Sequence, residues 1–404
     1  MYIYQPFKVN SISSKPYELF LDYRYDKELE GQLFTELLNI KEQYAISGQL
    51  FQVYMTLVLA YHENPFTLAL ERKETITPAF KTIVMKDIEE IFEIFHYHFH
   101  LDPVLNDVFY NYELTPKLNQ EVHDLLSALC IDLSKTNTPE EFYDRLYQHY
   151  MTYGVGFFGL NKAFRFDKEQ LVPIQHVDGY LLHDIVGYES QKQRLVANTQ
   201  AFLKGMAANN VLLYGDSGTG KSSSIKAILN EYYHQGLRIV EVYKHQFQYL
   251  PDIIHLLQNR NYKFIIYMDD LSFEDFEIEY KYLKSVIEGG LEQRPSNIII
   301  YATSNRKNII KQSWSERDTD EVNLNDAMQE KNSLVRRFGI TILYSNPMRK
   351  GYLQIVDALA KKNNIDMDPE TLHNEALTWE IRNGGFSGRT ATQFINYILG
   401  AKTI

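Results

Sequence analysis

A glycine-rich loop between a predicted strand and a predicted helix is the feature that most constrains how this chain can fold. The loop fits the pattern G-x-x-x-x-G-K-[ST] at every fixed position. An apolar segment precedes it, and the segment after it repeats apolar residues at helical spacing, beginning with Ile225. The loop consists of Gly215, Asp216, Ser217, Gly218, Thr219, Gly220, Lys221 and Ser222. Because strand, loop and helix are in register, the pattern favours a phosphate-binding loop over a chance run of glycines.

The binding chemistry of such a loop comes mainly from its backbone. Glycines let the chain curl so that successive N–H groups point inward, and the start of the following helix adds the positive end of its dipole. Lys221 is predicted to neutralise the β and γ phosphates of ATP, and the Ser222 hydroxyl is predicted to ligate Mg²⁺. ATP and Mg²⁺ are therefore the expected cofactors, and the whole loop is the expected cofactor-binding segment.

Polar side chains follow two later predicted strands. Asp269 and Asp270 come directly after the apolar segment 264–268, and Asn305 follows the apolar segment 298–303. Asp269 is predicted to hold the magnesium shell, and Asp270 to orient or deprotonate the attacking water. Asn305 can hydrogen-bond the γ phosphate or that water. By itself the carboxylate pair would indicate a solvated strand end, but the upstream loop favours the catalytic interpretation.

Two arginines complete the predicted catalytic set. Arg337 precedes Phe338 and Gly339, and Arg389 lies at the start of a predicted C-terminal helix. A planar cation aimed at the γ phosphate stabilises charge that develops in the transition state. Each arginine alone is more typical of a surface ion pair. Their order after the phosphate loop favours the catalytic role.

The periodicity of apolar residues along the chain predicts three domains and a connector. Residues 1–153 show helical periodicity and form an expected all-α N-terminal domain, and 154–183 form an expected irregular connector. Residues 184–345 alternate β-branched strands with amphipathic helices, which indicates an α/β core with a parallel sheet. The predicted strands are 211–214, 239–242, 264–268, 298–303 and 340–343. Residues 346–404 form an expected small helical lid.

Composition restricts the partners and the compartment. The formal net charge is −11, so nucleic acid is disfavoured as a partner. The single cysteine, Cys130, cannot form an intramolecular disulfide and lies in an apolar run typical of a core. The first residues do not resemble a signal peptide, and no apolar stretch is long enough to span a bilayer. We therefore expect a cytoplasmic protein without a membrane partner.

The order of these motifs resembles the AAA+ module, with Walker A, Walker B, sensor 1, an arginine finger and a lid with a sensor 2 arginine. The resemblance covers residues 184–404 and is closer still to an uncharacterised bacterial AAA+ family, a domain of unknown function. Segments with near-identical counterparts there are 184–189, 198–199, 269–273, 301–306 and 386–389. The resemblance implies an ATPase with ATP between core and lid, Arg389 acting in cis, and Arg337 completing a neighbour's site in a homo-oligomer.

Two departures from the AAA+ pattern bear on activity. Most AAA+ proteins have Glu where Asp270 stands, and a displacement of about 1 Å can cost on the order of a hundredfold in rate. The close family is similar to this chain in using two aspartates, so the expectation is slow hydrolysis. Arg336 stands where that family usually has Asp, which leaves Arg336 and Arg337 open as the finger, with Arg337 favoured because it directly precedes Phe338 and Gly339.

The expected function is ATP hydrolysis coupled to remodelling or positioning of a protein client held by the N-terminal domain. Two alternatives stay open: a nucleic-acid loader, and a nucleotide-gated switch that turns over little ATP. Two weaker signals are discounted. The segment 154–159 matches G-x-G-x-x-G without the strand that a dinucleotide site needs, so a flexible connector is expected. His96 and His100 would share a helix face at zinc-ligand spacing, but no third ligand is near in the sequence.

Overall fold

A computed structural model describes residues 1–5, 7, 9, 12–112, 114, 120–273, 277–288, 295–305 and 334–401. The chain divides into two compact units, Met1–Lys162 and Ala163–Ile404. Within the described ranges, no helix has the length and apolar character needed to cross a membrane.

The first unit is helical in its described part, apart from a bridge between Val9 and Ile12. Several helices start at prolines, where the missing N–H has no cost, and a polar residue such as Asn64, Thr77 or Thr138 caps the free N–H groups. Its helices are Lys15–Tyr23, Lys27–Leu29 (3-10), Glu30–Tyr44, Leu50–Tyr61, Pro65–Glu71, Pro78–Phe95, Pro103–Asn111, Gln120–Ser134, Pro139–Tyr153 and Gly156–Leu160. The predicted all-α character of this part is confirmed.

The core of this unit surrounds the helix Leu50–Tyr61, which is buried along nearly its whole length. A helix that is apolar all round belongs in the middle of a bundle, and one core of aromatic and aliphatic side chains encloses it. Cys130 lies in that core, as predicted, and burial raises the pKa of its thiol to about 11.

Two local predictions for the first unit are wrong. The helix Pro78–Phe95 ends before His98 and His100, so His96 and His100 do not share a helix face. The described residues also contain no group of three or more His, Cys, Asp or Glu side chains that could hold a metal ion. The glycine segment expected to be a flexible connector instead includes the short helix Gly156–Leu160, which is buried over most of its length.

The second unit is built on a seven-stranded sheet. Its strands are β1 Ala163–Asp167, β2 Gln170–Pro173, β3 Val211–Gly215, β4 Leu237–Glu241, β5 Lys263–Met268, β6 Ile298–Ser304 and β7 Ile340–Tyr344. Their order is β2-β1-β4-β5-β6-β3-β7, and every neighbouring pair is parallel except the antiparallel pair β1 and β2. The five predicted strands are confirmed as β3 to β7.

The prediction of an irregular connector at 154–183 is wrong in part. Residues 163–173 are not irregular, because β1 and β2 form a hairpin that extends the sheet beside β4. The hairpin turn places Lys168 and Glu169 at φ 46° and 61°. Such left-handed turns normally carry Gly or Asn, and neither residue stands here.

Helices cover the sheet and form the lid. They are Leu182–Asp184 (3-10), Glu189–Leu203, Lys221–Tyr232, Tyr233–Gln235 (3-10), Lys244–Tyr249 (3-10), Leu250–Gln258, Ile278–Glu288, Arg349–Lys362, Pro369–Asn383 and Gly388–Ala401. The last three pack around their own apolar core, as expected of a small helical lid. The predicted α/β class with a largely parallel sheet and a C-terminal helical lid is confirmed. Because parallel strands end at the same edge, the residues after β3, β5 and β6 meet there.

Candidate functional site

The glycine-rich loop joins β3 to the helix Lys221–Tyr232 and needs its glycines for two reasons. Gly215, Gly218 and Gly220 have φ values of 131°, 75° and 92°, which L side chains rarely adopt. A Cβ on Gly215 would also lie 2.1 Å from the carbonyl oxygen of Tyr344 on the neighbouring strand β7. The loop therefore takes its shape only with glycine at these positions, and its N–H groups gather at the helix start.

Lys221 is buried at the centre of this loop. Its Nζ donates hydrogen bonds to the carbonyl oxygens of Gly215 at 2.9 Å and Asp216 at 2.7 Å, and to Oδ1 of Asn305 at 3.0 Å. Burial lowers the pKa of Lys221, while the carboxylates of Asp270, Asp216 and Asp269 oppose that shift. The ammonium group thus has three acceptors for its three protons, and one of them comes from a different strand.

Asp269 follows β5 and accepts two hydroxyl groups on one oxygen. Ser222 Oγ donates to Oδ1 of Asp269 at 2.8 Å, and Thr303 Oγ1 donates to the same oxygen at 2.5 Å. Neighbouring atoms remove part of the water from this carboxylate, although the residue is exposed at the cavity surface, and this desolvation opposes ionisation. Hydrogen bonds from Thr303 and Ser222 outweigh it and lower the pKa of Asp269. A charged carboxylate beside a hydroxyl offers the oxygen ligands that Mg²⁺ prefers.

Asp270 has an unusual backbone conformation, with φ of 48°. Its N–H donates to Thr303 Oγ1 at 2.9 Å, and its Oδ1 accepts from Nδ2 of Asn305 at 2.7 Å. Asn305 therefore bridges Lys221 and Asp270, with its carbonyl oxygen turned to the ammonium group and its amide nitrogen to the carboxylate. The structure brings together three predicted site residues that are far apart in the sequence.

The lid reaches the same loop through the start of its last helix. The backbone N–H of Arg389 donates to the carbonyl oxygen of Gly218 at 3.2 Å, and Nη1 of Arg389 donates to Ser217 Oγ at 3.3 Å. The two segments approach so closely that a Cβ on Gly218 would lie 2.9 Å from Cβ of Arg389. Lys362 of the lid also pairs with Asp184 at 2.6 Å, in front of the helix Glu189–Leu203.

These groups surround a cavity of about 530 Å³, which is in the usual range for a small-molecule site. Its polar lining includes the loop, both aspartates, Asn305 and Arg389. Its apolar lining consists of Tyr180, Ile185, Val186, Tyr188, Ile355 and Leu359. A polyanion with an apolar ring fits this mixed lining, and Ser222 with Asp269 fits a hard divalent cation. ATP and Mg²⁺ therefore match the residues that are present.

Most of the predicted site residues line this cavity, but not all of them. Ser217 to Ser222, Asp269, Asp270, Asn305 and Arg389 all lie in its wall. Gly215 and Asp216 contact the cavity wall through their carbonyl oxygens, which accept hydrogen bonds from Lys221 Nζ. Arg336 and Arg337 are exposed and are not among the described residues that line it.

Sequence reasoning missed Thr303, which contacts both aspartates, and the apolar wall around Ile185. Thr303 is the last residue of the predicted strand 298–303, so the sequence contained a signal for it. Alternate residues of a strand share a face, which puts the residue two before Asn305 on the same side of the sheet.

Comparison with known proteins places this site in a family. A family model described as "Protein of unknown function (DUF815)" matches residues 160–402, a range that includes the hairpin β1–β2, the phosphate loop and the lid. The chain belongs to this family. With the sheet order and the loop geometry, this membership confirms the predicted AAA+ P-loop fold in a protein of the DUF815 family.

Other similarities of this DUF815 protein are more limited. A replication factor C large subunit from Staphylothermus marinus is 38% identical over 71 residues, which is 17% of this chain and 16% of the relative. The chain thus matches only about a sixth of that relative's length. A structure of the RuvB Holliday junction branch migration motor from Thermotoga maritima has 13% identity and a TM-score of 0.34, covering 54% of this chain and 72% of RuvB. A structure of a RuvB mutant from the same organism has 14% identity and a TM-score of 0.37, covering 54% of this chain and 64% of RuvB.

Proposed function

We propose that this DUF815 protein binds ATP with Mg²⁺, hydrolyses it to ADP and phosphate, and uses that cycle to remodel or position a protein partner. The observation that carries the proposal is a pair of hydrogen-bonded networks in one cavity. One network joins Lys221, Asn305 and Asp270, and the other joins Ser222, Asp269 and Thr303. A structural lysine or a solvated strand end would not require both.

Each group in the cavity has a role in this proposal. The loop N–H groups and Lys221 bind the phosphates, and Arg389 adds a positive charge from the lid. Ser222 and Asp269 hold Mg²⁺, which when bound neutralises phosphate charge. Asp270 orients a water molecule, with Asn305 fixing its carboxylate. Because Asp is a methylene shorter than Glu, we propose slow turnover.

The position of Arg337 supports a shared site. Its side chain is exposed and is not among the described residues that line the cavity of its own chain, which favours a role at the ATP of another copy. We therefore propose a homo-oligomer in which Arg337 of one subunit reaches the γ phosphate in the next. Arg336, its exposed neighbour, supplies a matched control for this assignment.

The charge distribution supports a basic protein client. Residues 1–162 contain 13 Lys and Arg against 23 Asp and Glu, a net charge of −10, whereas residues 163–404 contain 28 against 29, a net charge of −1. Nearly all the net negative charge of the protein therefore belongs to the first unit. Such a surface repels nucleic acid and attracts a basic protein.

The test of this function is ATP hydrolysis as a function of protein concentration. We expect the specific activity of the wild type to rise with concentration, because the shared site forms only on assembly. Lys221→Ala should lose ATP binding, and Arg337→Ala should keep binding but lose turnover. Arg336→Ala should behave as the wild type. Tight binding without turnover at any concentration would refute the ATPase.

The client is tested separately with the full chain. Asp270→Asn should hold ATP without hydrolysing it, so a client should be retained by this variant in ATP and lost from Lys221→Ala. Retention that is equal in both variants, or that persists at high salt, would contradict an ATP-coupled, charge-driven interaction.

Two alternatives rest on specific observations. The presence of Asp rather than Glu at position 270 favours a nucleotide-gated switch with little hydrolysis, and multiple turnovers would exclude it. The short similarity to a replication factor C large subunit favours a nucleic-acid loader. A gain in ATPase rate on adding single-stranded DNA that disappears with added salt would support the loader over a protein client.

A further inference from the structure

Thr303 lies between the two aspartates of the site and contacts both. It is on β6, 2% exposed, and its hydroxyl makes one hydrogen bond in each direction. The hydroxyl donates to Oδ1 of Asp269 at 2.5 Å and accepts the backbone N–H of Asp270 at 2.9 Å. A single hydroxyl group thus contacts the side chain of Asp269 and the backbone of Asp270.

The contact with Asp269 restricts the orientation of that carboxylate. Oδ1 already accepts Ser222 Oγ at 2.8 Å, and Thr303 supplies a second donor to the same atom. Two donors on Oδ1 fix the rotation of the carboxylate. Because Ser222 uses its proton on Asp269, the lone pairs of its oxygen stay available to a cation.

The contact with Asp270 stabilises a conformation that is otherwise unfavourable. A non-glycine residue at φ 48° is strained, and it persists only where the surroundings fix it. The Thr303 hydroxyl gives the Asp270 N–H an acceptor, so the turn after β5 loses no backbone hydrogen bond at this residue. The direction in which the Asp270 carboxylate leaves the chain therefore depends on Thr303.

We propose that Thr303 is a positioning residue that aligns Asp269 for the divalent cation and Asp270 for the attacking water. This inference rests on the ATPase function proposed above and extends it to a residue outside the predicted site. The Thr303 hydroxyl bonds to both aspartates, so Thr303 acts through them.

A neighbouring hydroxyl provides a matched control. Ser304 is buried like Thr303, and its Oγ donates to the carbonyl oxygen of Leu271 at 2.8 Å. This bond ties β6 to the same turn and ends on a backbone carbonyl oxygen, not on a carboxylate. The backbone bond from Leu271 N to the carbonyl oxygen of Thr303 at 2.7 Å is independent of both side chains. Loss of Ser304 Oγ therefore reports what a merely structural hydroxyl at this place contributes.

The experiment compares Thr303→Val, Thr303→Ser and Ser304→Ala with the wild type in the full chain. Valine keeps the shape of threonine without the hydroxyl, and serine keeps the hydroxyl. Binding of a fluorescent methylanthraniloyl derivative of ATP is measured in EDTA and in excess Mg²⁺, and kcat and KM are measured beside it. We expect Thr303→Val to bind in EDTA as the wild type does, and to lose about tenfold or more of the tightening that Mg²⁺ gives.

The same substitution should lower kcat about tenfold to a hundredfold and raise KM in excess Mg²⁺ by about the factor lost in Mg²⁺-dependent binding, since the carboxylates and not the phosphate loop are misaligned. Thr303→Ser and Ser304→Ala should stay within about threefold of the wild type. Equal behaviour of Thr303→Val and the wild type would overturn the proposal. Equal losses in Thr303→Val and Ser304→Ala, or failure of serine to restore function, would also overturn it.

The two binding measurements separate this inference from the proposed function. A wild type that binds with Mg²⁺ but never turns over ATP removes the ATPase function, while the Mg²⁺ effect of Thr303→Val still decides the role of Thr303 toward Asp269. A wild type that binds no nucleotide in either condition overturns both proposals.

Discussion

Acidification should destabilise the first unit through one buried histidine. His149 lies on the helix Pro139–Tyr153 and is 6% exposed, with its ring 5.8 Å from that of Tyr150 and 5.3 Å from that of Tyr153. Among the residues that the structure describes, none accepts or donates a hydrogen bond at its Nε2. Burial lowers the pKa of His149 from 6.5 to about 4, because an imidazolium ion there would lose its water without gaining a partner.

The magnitude follows from the two pKa values. The unfolded chain takes up the proton near pH 6.5, but the folded chain takes it up only near pH 4. The free energy of unfolding therefore falls as the pH drops below 6.5 and levels off below 4. At about 1.4 kcal/mol for each pKa unit, the full loss is about 3 kcal/mol. By the same relation, about 2 kcal/mol of it is lost between about pH 7.5 and about pH 5.0.

Urea unfolding of the full chain at about pH 7.5 and about pH 5.0 measures this loss. Both tryptophans, Trp314 and Trp379, follow residue 163 in the sequence, so their fluorescence reports the second unit, whereas far-ultraviolet circular dichroism reports both. We expect a drop of about 2 kcal/mol in the transition that is visible only by circular dichroism. His149→Phe should abolish that drop, because phenylalanine fills the same site without titrating.

An exposed histidine gives the control for this prediction. His98 is exposed on the surface of the same unit, so His98→Phe should leave the pH dependence as in the wild type. If His149→Phe retains the full drop, the pH dependence has another source and the reasoning from burial is refuted. The same conclusion follows if the drop occurs in the tryptophan transition.

Three further predictions concern stability. Asp87 is buried and accepts the backbone N–H groups of residues 2, 3 and 4. Asp87→Asn should therefore lower the free energy of unfolding by about 2 to 4 kcal/mol and expose this segment to proteases. Glu89→Gln, at an exposed position, should change neither property. Gly215→Ala should lower the stability of the second unit by at least about 3 kcal/mol in tryptophan-monitored unfolding, because the added methyl group meets a backbone carbonyl; wild-type stability would contradict the geometry. Lys362→Met breaks the ion pair with Asp184. It should lower the free energy of unfolding by less than about 1 kcal/mol, since Lys362 is 57% exposed. A decrease above about 3 kcal/mol would show that solvent does not screen the pair.

Three parts of the site could be predicted for one physical reason. They follow the ends of parallel strands: the phosphate loop after β3, Asp269 after β5 and Asn305 after β6, whereas Arg389 comes from the start of the helix Gly388–Ala401. Strand order and direction then bring the groups together without further information. A short apolar run and the polar residue after it are visible in one sequence, so these positions could be identified.

Features that depend on pairing between distant segments could not be predicted. The hairpin β1–β2 is short, its turn has Lys168 and Glu169 where Gly or Asn would signal a turn, and its pairing with β4 joins residues more than seventy apart. The end of the helix Pro78–Phe95 was missed for a related reason. Phe99 is buried between exposed His98 and His100, an alternation of period two that indicates extended chain. That alternation is too short to outweigh the helical spacing of the apolar residues Ile88, Ile91, Phe92 and Phe95 before it.

The role of Asn305 could not be predicted from its residue type, because it depends on the hydrogen bonds that its amide makes in the fold. From the sequence, its amide could face the γ phosphate or the attacking water. In the fold its oxygen accepts from Lys221 and its nitrogen donates to Asp270, and the reverse orientation would place an amide N–H group against an ammonium group. Of the three acceptors of Lys221, two are carbonyl oxygens of its own loop, and Asn305 is the one that also holds Asp270. Under the proposed function, a movement of Lys221 on binding phosphate would therefore reach the Asp270 carboxylate through the amide of Asn305.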